Sequence, residues 1–144
     1  MAEQNGLVTL HRETEAEYLE AFYEEYKEDF CTPDGFTIFC KYPETTAKHF
    51  CCGKKGPFQK VRAMRILWAK YILLNPSERI VLKDTSSGNT LFFLTRTKTP
   101  HIVICRKLEG KWNLVSSFAV GGKRAEQYRN GEPPYEYFDK SKDF

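Results

Sequence analysis

Between Arg79 and Ala119 the chain passes through four short apolar runs joined by links that are too short for a crossover. The runs are 79–83, 90–97, 101–107 and 111–119, rich in Val, Ile, Phe, Leu and Thr. The links between them contain Ser86-Ser87-Gly88-Asn89, Lys98-Thr99-Pro100 and Glu109-Gly110. Parallel strands need a connection of roughly a dozen residues or more, so neighbours joined this closely must run antiparallel. This predicts an antiparallel meander. Alternation along the last run puts Trp112, Leu114 and Phe118 on one face. Asn113, Val115, Ser117 and Ala119 fall on the other, with Ser117 on the open side and Ser116 in the apolar set.

Helical patterns precede the meander. Tyr18, Phe22 and Tyr26 recur every four residues within 14–30, and Thr14 with Glu17 makes a capping box. Thr32-Pro33-Asp34-Gly35 reads as a turn, 36–41 as a strand or extended run, and 43–55 as a loop or short helix. Residues 57–74 give the clearest helix, with Pro57 in its first turn and Asn75-Pro76 as its stop. Its buried stripe is expected from Val61, Met64, Trp68, Tyr71 and Ile72. The expected architecture is α+β: N-terminal helices followed by a four-stranded antiparallel sheet packed on the 57–74 helix. One domain over 1–144 is expected. It divides into an acidic helical segment (1–46), a core (47–120) and a polar tail (121–144) whose last residues are loosely held.

Charge separates these segments. Residues 1–46 hold eleven acids and three bases, whereas 47–144 hold nineteen bases and eight acids. Seven basic residues and no acid lie from Lys48 to Lys70. Such asymmetry favours a polyanionic partner for the basic part. The bland reading is a solvated surface that confers solubility. The carboxylates of 14–30 read as a solvated face, or as a face that lies over the basic surface when no ligand is bound. No apolar run approaches the roughly 20 residues of a membrane helix. The start is polar rather than a signal peptide, which points to the cytoplasm or to a fragment delivered into a target cell's cytoplasm. Cys31, Cys40, Cys51, Cys52 and Cys105 are odd in number and lack a CxxC pair, so free thiols are expected. Cys40, His49, Cys51 and Cys52 are the only zinc-like grouping, and adjacent cysteines are poor tetrahedral partners. No metal or cofactor is expected.

RNA can be cut without a metal, because its 2′-hydroxyl is the nucleophile. The protein then needs a proton acceptor and cations for the charge that builds on phosphorus. Of His11, His49 and His101, His49 is the best placed, in the basic stretch before the helix. His11 sits among acids, and His101 reads as structural after Pro100. Arg62 and Arg65 are three apart and share a helix face suited to phosphate. No HExxH, Walker A or GxSxG motif is present.

Lys48-His49-Phe50, Arg62-Ala63-Met64-Arg65-Ile66-Leu67-Trp68, Leu74-Asn75-Pro76 and Leu114-Val115-Ser116-Ser117-Phe118 carry a resemblance. Over about 47–120 the chain resembles the phage- and toxin-associated branch of the barnase–EndoU–colicin–RelE-like (BECR) ribonucleases. The resemblance implies a metal-independent endoribonuclease, toxins included, that leaves a 2′,3′-cyclic phosphate. It implies His49 as acid/base, Arg62 or Arg65 on the phosphate, and Ser117 (second, Ser116) as the group that orients phosphate or nucleophile. Lys54, Lys55, Lys60 and Arg96 would track the backbone of the RNA, transfer RNA among the candidates. An acidic immunity or antitoxin protein would be the matching inhibitor. The acidic 1–46 segment has no counterpart in the family. Two rivals stay open: a non-catalytic RNA-binding module that stacks bases on Tyr42, Phe92 or Tyr128, and a protein-interaction domain.

Overall fold

Thr14 opens the first helix as expected. Its hydroxyl accepts from the Glu17 backbone N–H at 3.2 Å, and the Glu17 carboxylate accepts from the Thr14 N–H at 3.0 Å. The computed structural model describes residues 3–4, 6–53 and 56–144. A small hairpin, β1 (Glu3–Gln4) with β2 (Leu7–Val8), precedes α1 (Glu15–Tyr26). Then come β3 (Phe30–Cys31), β4 (Thr37–Phe39), α2 (Pro43–Cys52), α3 (Lys60–Ala63) and α4 (Trp68–Leu74). The strands of the meander are β5 (Arg79–Asp84), β6 (Thr90–Leu94), β7 (His101–Leu108) and β8 (Lys111–Ala119). Finally α5 (Gly122–Arg129), β9 (Tyr135–Tyr137) and α6 (Lys140–Asp143) follow.

The expected four-stranded antiparallel sheet is overturned. The sheet has seven strands in the order β3-β4-β8-β7-β6-β5-β9, and it is mixed because β4 runs parallel to β8. The meander β5 to β8 is its centre. Two segments extend it: β3–β4 from the N-terminal part of the chain and β9 from the tail. An antiparallel block with bare edges would expose unpaired backbone groups on both sides, and the added strands remove most of that exposure. The tail is thus tied down, contrary to expectation. Phe144 lies 4.9 Å from the Phe36 ring and 5.0 Å from Trp112, and Lys107 donates to its carbonyl.

The helix expected over 57–74 is broken into α3 and α4 by a tight turn at Met64–Leu67. The cause is a side chain from α1. The Tyr26 hydroxyl donates to the Ile66 carbonyl at 2.6 Å and accepts from the Lys70 N–H at 3.1 Å. Those two backbone groups would bond each other in a continuous helix, so the phenol sits inside the ladder. The Met64 carbonyl is also diverted, to the Leu10 N–H at 2.8 Å. The bend changes the buried stripe to Ala63, Ile66, Trp68, Ala69, Ile72 and Leu73, and leaves Val61 exposed. Where α4 ends, Arg79 donates to the Ile72 and Leu73 carbonyls and grips Asp34 with two bonds of 2.8 Å.

Two apolar layers flank the sheet. Helices α1 to α4 cover one face, over Ile38, Phe92, Val103, Cys105, Trp112 and Leu114. Helix α5 covers the other, over Leu82, Leu91, Phe93 and Ile102. Phe92 and Tyr128, which the binding-module reading would expose, are buried in these layers; Tyr42 is exposed. Among the described residues no helix is long and apolar enough to cross a membrane. The five cysteines are free.

Candidate functional site

Past its pairing with β4, which ends at Asn113, strand β8 has an open edge. Helix α2 closes it with side chains. Thr46 Oγ1 donates to the Leu114 carbonyl at 3.2 Å, and His49 Nδ1 bonds the Val115 carbonyl at 3.3 Å. Two successive carbonyls can face α2 because Val115 is a bulge: Ile104 pairs with Ser116 while Cys105 pairs with Leu114. The extra residue resets the alternation. Ser117 therefore faces the helices with Trp112 and Leu114, and is buried, whereas Phe118 goes to the α5 side. The expectation of Ser117 on the open face is corrected accordingly.

Helix α3 packs against α2, and its Arg62 side chain reaches from there toward the end of β8. The Arg62 guanidinium donates from Nη2 to the His49 carbonyl at 2.5 Å and stands 5.8 Å from the Phe118 ring. Clefts open on either side of it. The first, of about 440 Å³, is lined by His49, Gly53, Arg62, Val115, Ser116 and Phe118, with Asn89 and Ile104 at its far wall. The second, of about 230 Å³, is lined by Gln59, Arg62, Arg65, His101 and Ser117 over Phe50, Phe118 and Ala119. The predicted residues are thus divided. His49 and Ser116 share the first cleft, Arg65 and Ser117 the second, and Arg62 belongs to both.

A carbonyl oxygen only accepts, so the His49 ring carries a proton on Nδ1, and in the neutral ring Nε2 is the bare acceptor. This is the tautomer a general base requires. On its other side His49 borders a shallower groove with Lys48, Cys52 and Glu15. Glu15 is the only α1 carboxylate there among the described residues, and Glu17, Glu20 and Glu24 line a separate groove with Arg12.

In the second cleft His101 Nε2 lies 2.9 Å from Ser117 Oγ. Burial, reinforced by the charges of Arg65 and Arg62, pushes this imidazole down to about 3, so it is neutral. Arg65 stacks on Trp68 at 4.7 Å, and Trp68 meets His101 edge-on at 5.2 Å. Sequence reasoning set His101 aside as structural. The pairing of its strand opposite the end of β8, which brings it to Ser117, was the available signal.

No family model, curated protein or solved structure matches this chain. The site's own chemistry therefore carries the functional reading. Of the residues expected to track RNA, Lys60 is exposed at the start of α3. Arg96 is paired with Glu78, with Nε–Oε1 at 2.9 Å, and lines neither cleft. Lys54 and Lys55 lie outside the described residues. Among the described residues no three His, Cys, Asp or Glu side chains gather as a metal-ligand set. Burial raises the Cys51 thiol to about 12 and Cys52 and Cys40 to a lesser extent, which holds all three as protonated thiols.

Proposed function

We propose that the chain is an endoribonuclease that cuts RNA by an acid–base route, with its chemistry in the His49–Arg62–Ser116 cleft. The supporting observation is one histidine with its Nδ1–H fixed on a carbonyl, in the same cleft as a half-buried guanidinium that has no carboxylate partner among the described residues. His49 Nε2 removes the 2′-hydroxyl proton. The 2′-oxygen attacks phosphorus, the bond to the 5′-oxygen breaks, and that oxygen takes a proton from solvent at the open mouth of the cleft. Arg62 carries the charge that accumulates on the non-bridging oxygens, and the Ser116 hydroxyl donates to one of them. The strand left behind ends in a 2′,3′-cyclic phosphate. The excess of basic residues after position 46 supports a polyanionic substrate. The resemblance to BECR ribonucleases supports the same reaction class, and an acidic inhibitor protein remains its expected partner.

The test is incubation of the purified protein with total cellular RNA in excess EDTA, beside His49→Gln and Arg62→Ala. Gln keeps a donor for the Val115 carbonyl and loses the base. Cyclic-phosphate fragments from the wild type, reduced roughly 10²-fold or more in either variant, are expected. Intact RNA in every tube, with unaltered thermal melts, refutes the enzyme.

A further inference from the structure

Two buried side-chain nitrogens among the described residues have no hydrogen-bond partner: Arg62 Nε and His101 Nδ1. Both residues line the 230 Å³ cleft. Orphaned polar atoms are uncommon in folded proteins, and of these two Arg62 Nε, a donor, is the one that an anion would complete. The charge is equally incomplete. Arg62 and Arg65 are each partly buried and, among the described residues, neither meets a carboxylate. The Arg62 guanidinium is held below its usual basicity by burial. Two adjacent, partly desolvated cations need an anion beside them.

The hydroxyl at the cleft also has a direction. A bare lone pair on His101 Nδ1 is favoured beside the two guanidinium charges, whereas an N–H there would be a buried, orphaned donor in a positive field. That places the ring proton on Nε2, which donates to Ser117 Oγ. The Ser117 hydroxyl proton is then free to donate away from the ring. With 230 Å³, the cleft falls below the roughly 300 Å³ at which pockets for whole small-molecule ligands begin, so it suits a single small group rather than a base with its ribose.

We infer that Gln59, Arg62, Arg65 and Ser117 form a phosphate subsite separate from the cleavage cleft, with His101 as the positioning residue that turns the Ser117 hydroxyl toward the anion. Arg62, shared by both clefts, would then bridge two phosphates: the scissile one at His49 and a neighbour on the same strand. An acceptor oxygen drawing the guanidinium toward Arg65 would also satisfy Nε. The source of the phosphate as an RNA backbone rests on the ribonuclease reading, but the anion site does not.

Inorganic phosphate is the probe. It is titrated at low ionic strength into the whole chain while the arginine Nε–H signals are followed by NMR. The Arg62 and Arg65 signals are expected to move saturably, and Arg65→Ala to weaken the apparent affinity by roughly tenfold or more. Arg65→Lys, which keeps the charge without the fork, is expected in between, and it serves if the alanine variant fails to fold. Ser117→Ala and His101→Phe should weaken binding alike, since both remove the directed hydroxyl. Lys111→Ala, at the opposite end of β8 from Ser117 and paired with Asp29, should match the wild type. Linear shifts without saturation, or Arg65→Ala titrating like the wild type, overturn the subsite. Saturable binding without any RNA cleavage leaves the subsite standing and removes the ribonuclease. Cleavage without saturable binding does the reverse.

Discussion

Replacing Tyr26 by Phe tests the joint on which the second cleft depends. The phenol oxygen carries two hydrogen bonds inside the interrupted ladder, to the Ile66 carbonyl and from the Lys70 N–H. Phe keeps the ring, which packs 4.8 Å from Phe22 and 5.8 Å from Phe50, and removes only the oxygen. Each backbone group left buried and unpaired costs about 1–3 kcal/mol, so two give about 2–4 kcal/mol once partial relaxation is allowed. If the chain instead closed the gap with a direct Lys70-to-Ile66 bond, the loss would shrink to about 1 kcal/mol or less. Closure would straighten Met64–Leu67 and swing Arg65 relative to His101. The packed ring opposes it by occupying the same space. Urea unfolding reads the difference: with a slope of about 1–3 kcal/mol/M, the midpoint should fall by about 1–2 M at unchanged slope. A loss under about 0.5 kcal/mol with Met64–Leu67 still bent would refute the inserted-hydroxyl account of the break.

Other outcomes follow from groups described above. His101 titrates near 3 when folded, against 6.5 for a free imidazole, so the unfolded chain binds its proton first. Stability present above pH 6.5 is therefore lost as pH falls toward 3, with this ring adding up to about 1.4 kcal/mol per pH unit. His101→Gln should flatten that slope in chemical denaturation at stepped pH, and an unchanged slope would show that the ring is not the group responsible. Asp34 is raised by burial, but hydrogen bonds from Arg79 and Thr32 and the Arg79 charge outweigh this and leave it below the ordinary carboxylate range. Its contribution is present above about pH 4 and disappears below it, so melting curves of the wild type and Asp34→Asn should converge on acidification. Arg79→Met should cost about 3–5 kcal/mol by equilibrium unfolding, since it strands Asp34 and two carbonyls at the end of α4. Thiol titration of the native protein should find Cys31 fast and Cys51 and Cys105 slow, the last two being buried with raised pKa values.

The meander was readable because alternation and hairpin links are local signals. The apolar run at 36–41 was readable as a strand and holds β4, but its parallel pairing with β8 was not, and β3 and β9, two or three residues each, exist by virtue of what they pair with. The break between α3 and α4 left no trace in residues 57–74, because the group that causes it, Tyr26, belongs to another helix. Ser117 was assigned to the wrong face for a similar reason. A one-residue bulge at Val115 reverses everything after it, and no glycine announces it. His49, Arg62 and Arg65 were legible as chemical types in a basic stretch. Their division between two clefts follows from the open edge of β8, which only the short reach of β4 creates.

That same mixed sheet has a consequence for how the chain assembles. Hairpins β5–β6, β6–β7 and β7–β8 join neighbours in sequence, so their closure entropy is small and they can form early. The parallel contact of Ile38 with Trp112 joins segments on opposite sides of α2, α3 and α4, and must await them. The clefts lie along the seam between these early and late portions. Amides of β6 and β7 should therefore exchange slowest, and those of β3, β4 and α2 should open first, through partial unfolding that spares the central strands.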